Sequence, residues 1–245
     1  MSTMNIQLIN PNTSQTMTET IAAAARAVAA PATDIIAVCS SQGAPSIEGH
    51  FDEAIAAIGV LQRIKQGREA AVDGHIIACF GDPGLLAARE LARAPVIGIA
   101  EAAMHVATLV ATRFSIVTTL PRTRVIARHL VQQYGFERHC AALHAIDLPV
   151  LALEDGSGMA QRKVREQCWR SKQQDGCGAI VLGCAGMADL AHELTQELGL
   201  PVIDGVSAAV KMVESLHGLG LGTSKHGDLD FPRAKRLTGV FSEFN

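Results

Sequence analysis

The sequence repeats itself at the scale of half a chain. Pro95-Val96-Ile97 is followed by Glu101-Ala102-Ala103, and Pro201-Val202-Ile203 by Ser207-Ala208-Ala209. Each block follows an apolar run that ends in Cys. Cys79 lies 16 positions before Pro95 (79 to 95), and Cys184 lies 17 before Pro201 (184 to 201). Upstream, the run ending at Asn10 lies 69 before Cys79 (10 to 79), and the run ending near Thr118 lies 66 before Cys184 (118 to 184). Matches in the same order at similar spacing predict two related halves about an approximate two-fold axis. Asn10 then corresponds to Thr118, and Cys79 to Cys184.

Within each half, short apolar runs alternate with longer stretches at helical spacing. Strands are expected over Met4–Asn10, Asp34–Cys39, Gly74–Cys79 and Pro95–Ile99, then over Arg113–Thr119, His139–Leu148, Ala179–Cys184 and Pro201–Ile203. Helices are expected between them, among them Ser14–Ala30, Phe51–Gln66, Pro83–Ala94, Pro121–Tyr134, Met159–Gln174, Met187–Leu198 and Ser207–Leu216. Asn12, Thr13 and Ser14 are candidate caps of the first helix. Strict alternation predicts an α/β fold, with parallel sheets flanked by helices.

Composition narrows the function. Hydrophobic residues make up 48% and charged residues 18% of 245 positions, which predicts a packed globule. The net charge is −3 and no basic stripe is present, so no nucleic-acid partner is expected. No apolar run approaches the roughly 20 residues of a membrane helix, and Met1–Leu8 does not read as a secretory signal. Six cysteines occur without a C-x-x-C pair, so neither structural zinc nor a disulfide framework is expected. A reduced, cytoplasmic protein without a metal follows as the expectation.

A free Cys is most often an inert buried side chain, and Cys39, Cys140, Cys168 and Cys177 are read that way. Cys79 and Cys184 are read differently. Each ends a strand and precedes a glycine-containing turn: Cys79-Phe80-Gly81-Asp82-Pro83-Gly84 and Gly183-Cys184-Ala185-Gly186-Met187. In open parallel sheets, ligands sit beyond the carboxyl ends of the strands. Backbone N–H groups at a helix start are expected to lower a thiol's pKa and to hold a developing oxyanion. Two such sites face to face permit one sulfur to remove a proton from carbon while the other donates to the opposite face. A stereocentre is then inverted without metal or cofactor.

The chain resembles the Asp/Glu/hydantoin racemase superfamily, and within it the hydantoin and allantoin racemases. The resemblance rests on Ile9-Asn10-Pro11-Asn12-Thr13, Ala78–Gly84, Val117-Thr118-Thr119-Leu120-Pro121 and Leu182–Met187, and it runs from about Ile6 to Leu216. It implies two similar lobes with the active site in the cleft between them and two-base proton transfer by Cys79 and Cys184. Asn10, Thr118 and Thr119, with the backbone that follows each cysteine (Phe80, Gly81, Ala185, Gly186, Met187), are implied to contact substrate. The last helix is implied to cross back, giving a first lobe of 1–98 plus 208–245 and a second of 99–207. Amino-acid racemases of this group usually carry Asn-Thr after the first Cys and Thr-Glu after the second. Phe80-Gly81 and Ala185-Gly186 stand there instead, which suits a neutral ring better than a free amino acid. Arylmalonate decarboxylases typically keep one of the two cysteines, and maleate isomerases have different flanking residues. The expected reaction is racemisation at C5 of a hydantoin ring, allantoin first and 5-substituted hydantoins second. A non-catalytic small-molecule binding protein is the competing class.

Three segments stay open at this point. Ser40–Ser46 reads either as a lid or as a plain surface loop. Gly218–Lys225 lacks P-loop spacing and reads as a flexible tail. Thr223–Asn245, with Phe231, Phe241 and Phe244, reads either as an arm docking on a neighbouring subunit of a homo-oligomer or as disordered.

Overall fold

The computed structural model describes residues 3–244. Strands β1 (Met4–Asn10), β2 (Thr33–Cys39), β3 (Gly74–Ile77) and β4 (Val96–Gly98) form one parallel sheet in the order β2-β1-β3-β4. Strands β5 (Phe114–Thr118), β6 (Cys140–Ala145), β7 (Ala179–Leu182) and β8 (Val202–Asp204) form a second parallel sheet in the order β6-β5-β7-β8. The two orders are the same pattern shifted by four strands. The repeat in sequence is therefore a repeat of topology.

Helices join the strands: α1 (Gln15–Val28), α2 (His50–Glu69), α3 (Leu85–Leu91), α4 (Ile99–Val110), α5 (Thr123–Gln133), α6 (Met159–Gln174), α7 (Ala191–Leu198) and α8 (Gly205–Gly218). Alternate residues of a strand point to opposite faces, and both faces are buried here. Leu8, Ile76, Ile116 and Val181 face a central core. Ile9 and Ile77 face an outer cluster with Val60 and Ile64 of α2 and Leu85 of α3. Val117, Ile180 and Leu182 face a second outer cluster with Val164 of α6 and Leu194 of α7. The central core is filled from α1, α4, α5 and α8, largely by small side chains such as Ala25, Ala103, Ala107 and Ala209. The layers thus run outer helices, sheet, shared helices, sheet, outer helices.

Short caps fix the helix starts. Ser14 Oγ accepts from the Met17 N–H at 3.1 Å, and Asp204 Oδ1 accepts from the Ser207 N–H at 2.7 Å. The helix expected over Met187–Leu198 is split. Ala185–Leu190 forms a 3₁₀ turn, and only then does α7 begin. Residues three apart stack in a 3₁₀ turn. That spacing sends Ala185 and Ala188 into the central core, and Met187 and Leu190 into the outer one.

Helix α8 leaves the second sheet and packs on the first. Its Glu214 Oε1 accepts from the Ala30 N–H beyond α1 at 2.7 Å, and Val213 fills the space where a side chain at Gly74 would stand. The segment after α8 also folds back, so the expected free tail is not seen at its start. Thr223 N–H donates to Arg93 O at 2.8 Å, and Lys225 Nζ reaches the carbonyls of Arg89, Glu90 and Leu229. Arg93 and Lys225 flank the Phe231 ring at 5.1 and 4.7 Å. Among the described residues no helix is long and apolar enough to cross a membrane.

The shared layer is tightest where α8 starts against α4. A Cβ on Gly205 would lie 2.2 Å from the Ile99 carbonyl oxygen, which is backbone and cannot swing away. Gly205→Ala is expected to cost about 1–3 kcal/mol and to lower Tm by roughly 2–12 °C. Gly218→Ala, at the open end of the same helix, meets nothing within 4 Å and should not lower Tm. Thermal unfolding of the two variants side by side checks this; an equal Tm for Gly205→Ala and wild type would contradict it.

Candidate active site

Cys79 stands two residues past the last paired residue of β3, and Cys184 two past that of β7. Both line one cleft at the carboxyl ends of the two sheets. Asn10, Phe80, Gly81, Thr118, Thr119 and Ala185 line the same cleft. Gly186 and Met187 do not. Gly186 packs beside Leu153 and Met17, and Met187 is fully buried in the outer core. The 3₁₀ turn carries their side-chain positions away from the opening. Cys39, Cys140, Cys168 and Cys177 stand elsewhere, and all six thiols are free. The space open to the centre of a water molecule is about 50 Å³, room for roughly three to five waters and so for a compact ring.

Each half builds its own cleft wall. Asn10 Nδ2 donates to Asn12 Oδ1 at 2.7 Å, Thr18 Oγ1 at 2.9 Å and Ser14 O at 3.2 Å, which folds the chain after β1 over the start of α1. The donors of Asn10 are therefore spent inside the turn. At the equivalent position Thr118 donates to Gly183 O at 3.0 Å and lies 3.0 Å from Thr123 Oγ1. A Cβ on Gly183 would sit 3.0 Å from Thr118 Cβ and 3.1 Å from Val117 O, so the residue before Cys184 is held tightly to β5. Asp82 anchors the other turn. Its oxygens accept from the Ala100 N–H at 3.1 Å, the Glu101 N–H at 2.9 Å and the Tyr134 hydroxyl at 2.8 Å. It thereby ties the turn after Cys79 to the start of α4 and the end of α5.

The segment from 40 to 50 bridges the lobes. Ile47 lines the cleft, and Glu48 Oε1 accepts from the Val150 N–H at 2.7 Å. A second bond across the opening joins Ser14 Oγ to Glu154 Oε1 at 3.0 Å. Sequence reasoning missed the lining residues Met17, Ile47, Glu53, Thr123, Ile126 and Val150. They come from α1, α2, α5 and the connecting segments, and they carry no motif of their own.

A model of the Asp/Glu/hydantoin racemase family matches residues 6–213. This chain belongs to the Asp/Glu/hydantoin racemase family. A hydantoin racemase from Rhizobium meliloti is 49% identical over 236 residues, covering 96% of this chain and 98% of the relative. A solved allantoin racemase from Klebsiella pneumoniae is 75% identical, with a TM-score of 0.98 and 99% of each chain covered. The allantoin racemase AllR from Pseudomonas fluorescens is 39% identical, with a TM-score of 0.92, covering 96% of this chain and 100% of that one. The enzyme is an isomerase, a racemase of this family.

The racemase's two cleft thiols are not thiolates by default. Burial pushes Cys184 up to about 11; the Gly186 N–H at its sulfur opposes this, and Glu48 and Glu154 add to it. Burial pushes Cys79 higher still, against the Gly81 N–H, with Cys184, Asp82 and Glu53 adding to the rise. The turn amides act in the expected direction, but loss of water outweighs them. No long helix starts at either sulfur: α3 begins at Leu85, and a 3₁₀ turn follows Cys184. The helix dipole fades within a turn, so its help is small. Burial also lifts the Asp82 carboxyl to about 7, against its three donors.

These shifts fix how the free thiols should react. A raised pKa leaves less thiolate at neutral pH and delays its plateau. Alkylation of Cys184 by iodoacetamide should be slow at pH 7 and climb about tenfold per pH unit, levelling only near pH 11. Peptide mass mapping of timed reactions reads this directly. A plateau below pH 9 would show that the amides, not burial, control the thiol.

Proposed function

We propose that this racemase inverts C5 of a hydantoin ring, with allantoin as first substrate and other 5-substituted hydantoins second, and that Cys79 and Cys184 are its acid–base pair. One observation carries the reading: two thiols from equivalent strand ends line a single small cleft, and no cationic side chain lines it among the described residues. A free amino acid would place its carboxylate there without a partner, at a high desolvation cost. A neutral ring avoids that cost. The choice of allantoin is supported by 75% identity to an allantoin racemase against 49% to a hydantoin racemase.

C5 of a hydantoin lies beside a carbonyl, so loss of its proton leaves an enolate. In the proposed reaction, one sulfur enters as thiolate and takes the C5 proton, becoming a thiol. The other enters as thiol and delivers its proton to the opposite face, becoming a thiolate. Charge is conserved, and the two sulfurs have exchanged roles for the reverse direction. Backbone N–H groups after each cysteine are the donors for the enolate oxygen. Asn10 and Thr118 act by holding the turns, while Phe80, Gly81, Thr119 and Ala185 form the wall against the ring. The division into lobes 1–98 plus 208–245 and 99–207 belongs to the same proposal.

Racemisation of each pure enantiomer of allantoin in D2O, followed by circular dichroism and C5 deuteration, tests the pair. Cys79→Ser and Cys184→Ser are each expected to lose at least about 10²-fold in rate. In wild type, early deuterium should appear in the inverted product and not in recovered substrate. A single variant racemising at the wild-type rate would remove that cysteine from the mechanism.

A further inference from the structure

The two halves cap their equivalent helices in different ways. In the second half, β8 ends at Asp204, which pairs with Leu182 two residues before Cys184. Asp204 is the N-cap of α8, and its own side chain accepts from the Ser207 N–H. In the first half the matching position is Gly98, which pairs with Ile77 two residues before Cys79 and caps α4 without a side chain. The backbone is nearly the same at both caps, φ −84° and ψ 141° at Gly98 against φ −93° and ψ 143° at Asp204. The start of α4 still receives a carboxylate, but from Asp82. Its Oδ1 accepts from the Ala100 N–H and its Oδ2 from the Glu101 N–H. A Cβ built on Gly98 would lie 2.3–2.5 Å from the Asp82 carboxyl atoms, so the missing side chain admits the donated one. At the position of Asp82, three residues after the cysteine, the second half carries Met187, which is buried in the outer core.

Capping alone does not require this arrangement. The first-turn amides of a helix need an acceptor, and a carboxylate on the cap itself supplies one, as at Asp204. Placed in the cysteine turn, the same group also fixes that turn. Asp82 N–H donates to Cys79 O at 3.0 Å, and the residue holds a left-handed backbone at φ +43°. A non-glycine residue is strained there, and it keeps that conformation only where its surroundings over-determine it. Three donors do so: the two α4 amides, and the Tyr134 hydroxyl at 2.8 Å from the end of α5. Both helices belong to the layer that the two sheets share. The Gly81 N–H, which meets the Cys79 sulfur, belongs to the residue directly before Asp82. We propose that Asp82, held by Tyr134, is a positioning residue that sets the turn amide at Cys79 against the shared helix layer, a task that packing of Met187 performs at Cys184. This rests on the reading of Cys79 as one of the acid–base pair and adds how that sulfur is held.

The test moves the carboxylate back to the cap. Asp82→Gly loses the α4 cap and frees the turn. Asp82→Gly combined with Gly98→Asp returns the cap to the position it has in the second half, in the space that Asp82 leaves. Thermal unfolding and racemisation of each enantiomer of allantoin, followed by circular dichroism, are measured on both. Tm is expected to fall by roughly 1–8 °C in the single variant and to return to within about 2 °C of wild type in the double variant. Activity is expected not to return: kcat stays at least about tenfold down while KM stays within about threefold, because the misplaced group acts during proton transfer. Asp204→Gly removes the matching cap without touching a cysteine turn. It should lower Tm and leave kcat within about threefold of wild type, and its comparison with Asp82→Gly decides if the double variant folds poorly. The assignment is overturned if the double variant regains wild-type kcat with its Tm, if its loss lies in KM alone, or if Asp204→Gly loses as much kcat as Asp82→Gly. Cys79→Ser is run beside them. Racemisation by Cys79→Ser at the wild-type rate overturns the role of Cys79 and this assignment together; an inactive Cys79→Ser beside a fully active double variant overturns the assignment alone.

Discussion

Everything in this fold depends on two parallel sheets burying their inner faces against one layer of helices. A parallel sheet needs cover on both faces. The outer faces are each covered by their own helices, α2 with α3 and α6 with α7. The inner faces share α1, α4, α5 and α8. Alanine and glycine keep that layer thin, down to the contact of Gly205 with Ile99 O. A thin shared layer brings the carboxyl ends of β3 and β7 toward one another, and the two cysteines follow. Cleft and core are thus one construction: a bulkier central helix would separate the thiols as well as strain the packing.

The same closure sets the electrostatics. Each thiol is half-buried in the cleft, and carboxylates stand near both. Glu48 and Glu154 span the opening through Val150 and Ser14, and both raise Cys184. Asp82 and Glu53, from the same half of the chain as Cys79, raise Cys79. The amides of Gly81 and Gly186 are the local counterweight. Site and structural ties are therefore made from the same side chains, and opening the lobes would alter both together.

What was legible in the sequence followed local pattern. The alternation of strands and helices, the equivalence of Asn10 with Thr118, and the matching positions of Cys79 and Cys184 all follow from periodicity and spacing, whereas the order of strands within each sheet does not. The places where reading failed are places where distant chain decides. The strand expected to reach Cys79 stops at Ile77, where its partner β4 runs out at Gly98. The helix expected from Met187 is preceded by a 3₁₀ turn because two cores compete for alternate side chains, which also moves Gly186 and Met187 away from the opening. The thiol shifts have the opposite sign to expectation, since a motif shows its own amides but not the lobe that will cover it. Glu53 carries no motif at all. It reaches the cleft beside Gly81, 28 positions later (53 to 81), through the fold and not through local pattern.

A raised thiol pKa has two consequences that pull apart. It lowers the fraction of enzyme holding a thiolate, and it makes that thiolate a stronger base. For a weak carbon acid such as a ring carbon beside one carbonyl, basicity is the scarcer quantity. A solvated thiolate is abundant and weak; a buried one is rare and strong. The proposed reaction also passes a single proton deficit from one sulfur to the other, so the cleft never holds two thiolates, and the mutual repulsion that raises Cys79 in the presence of charged Cys184 favours the mixed state. A neutral substrate completes the balance. It adds no charge to a cleft already bordered by carboxylates, and it needs no cationic partner, of which none lines the cleft among the described residues.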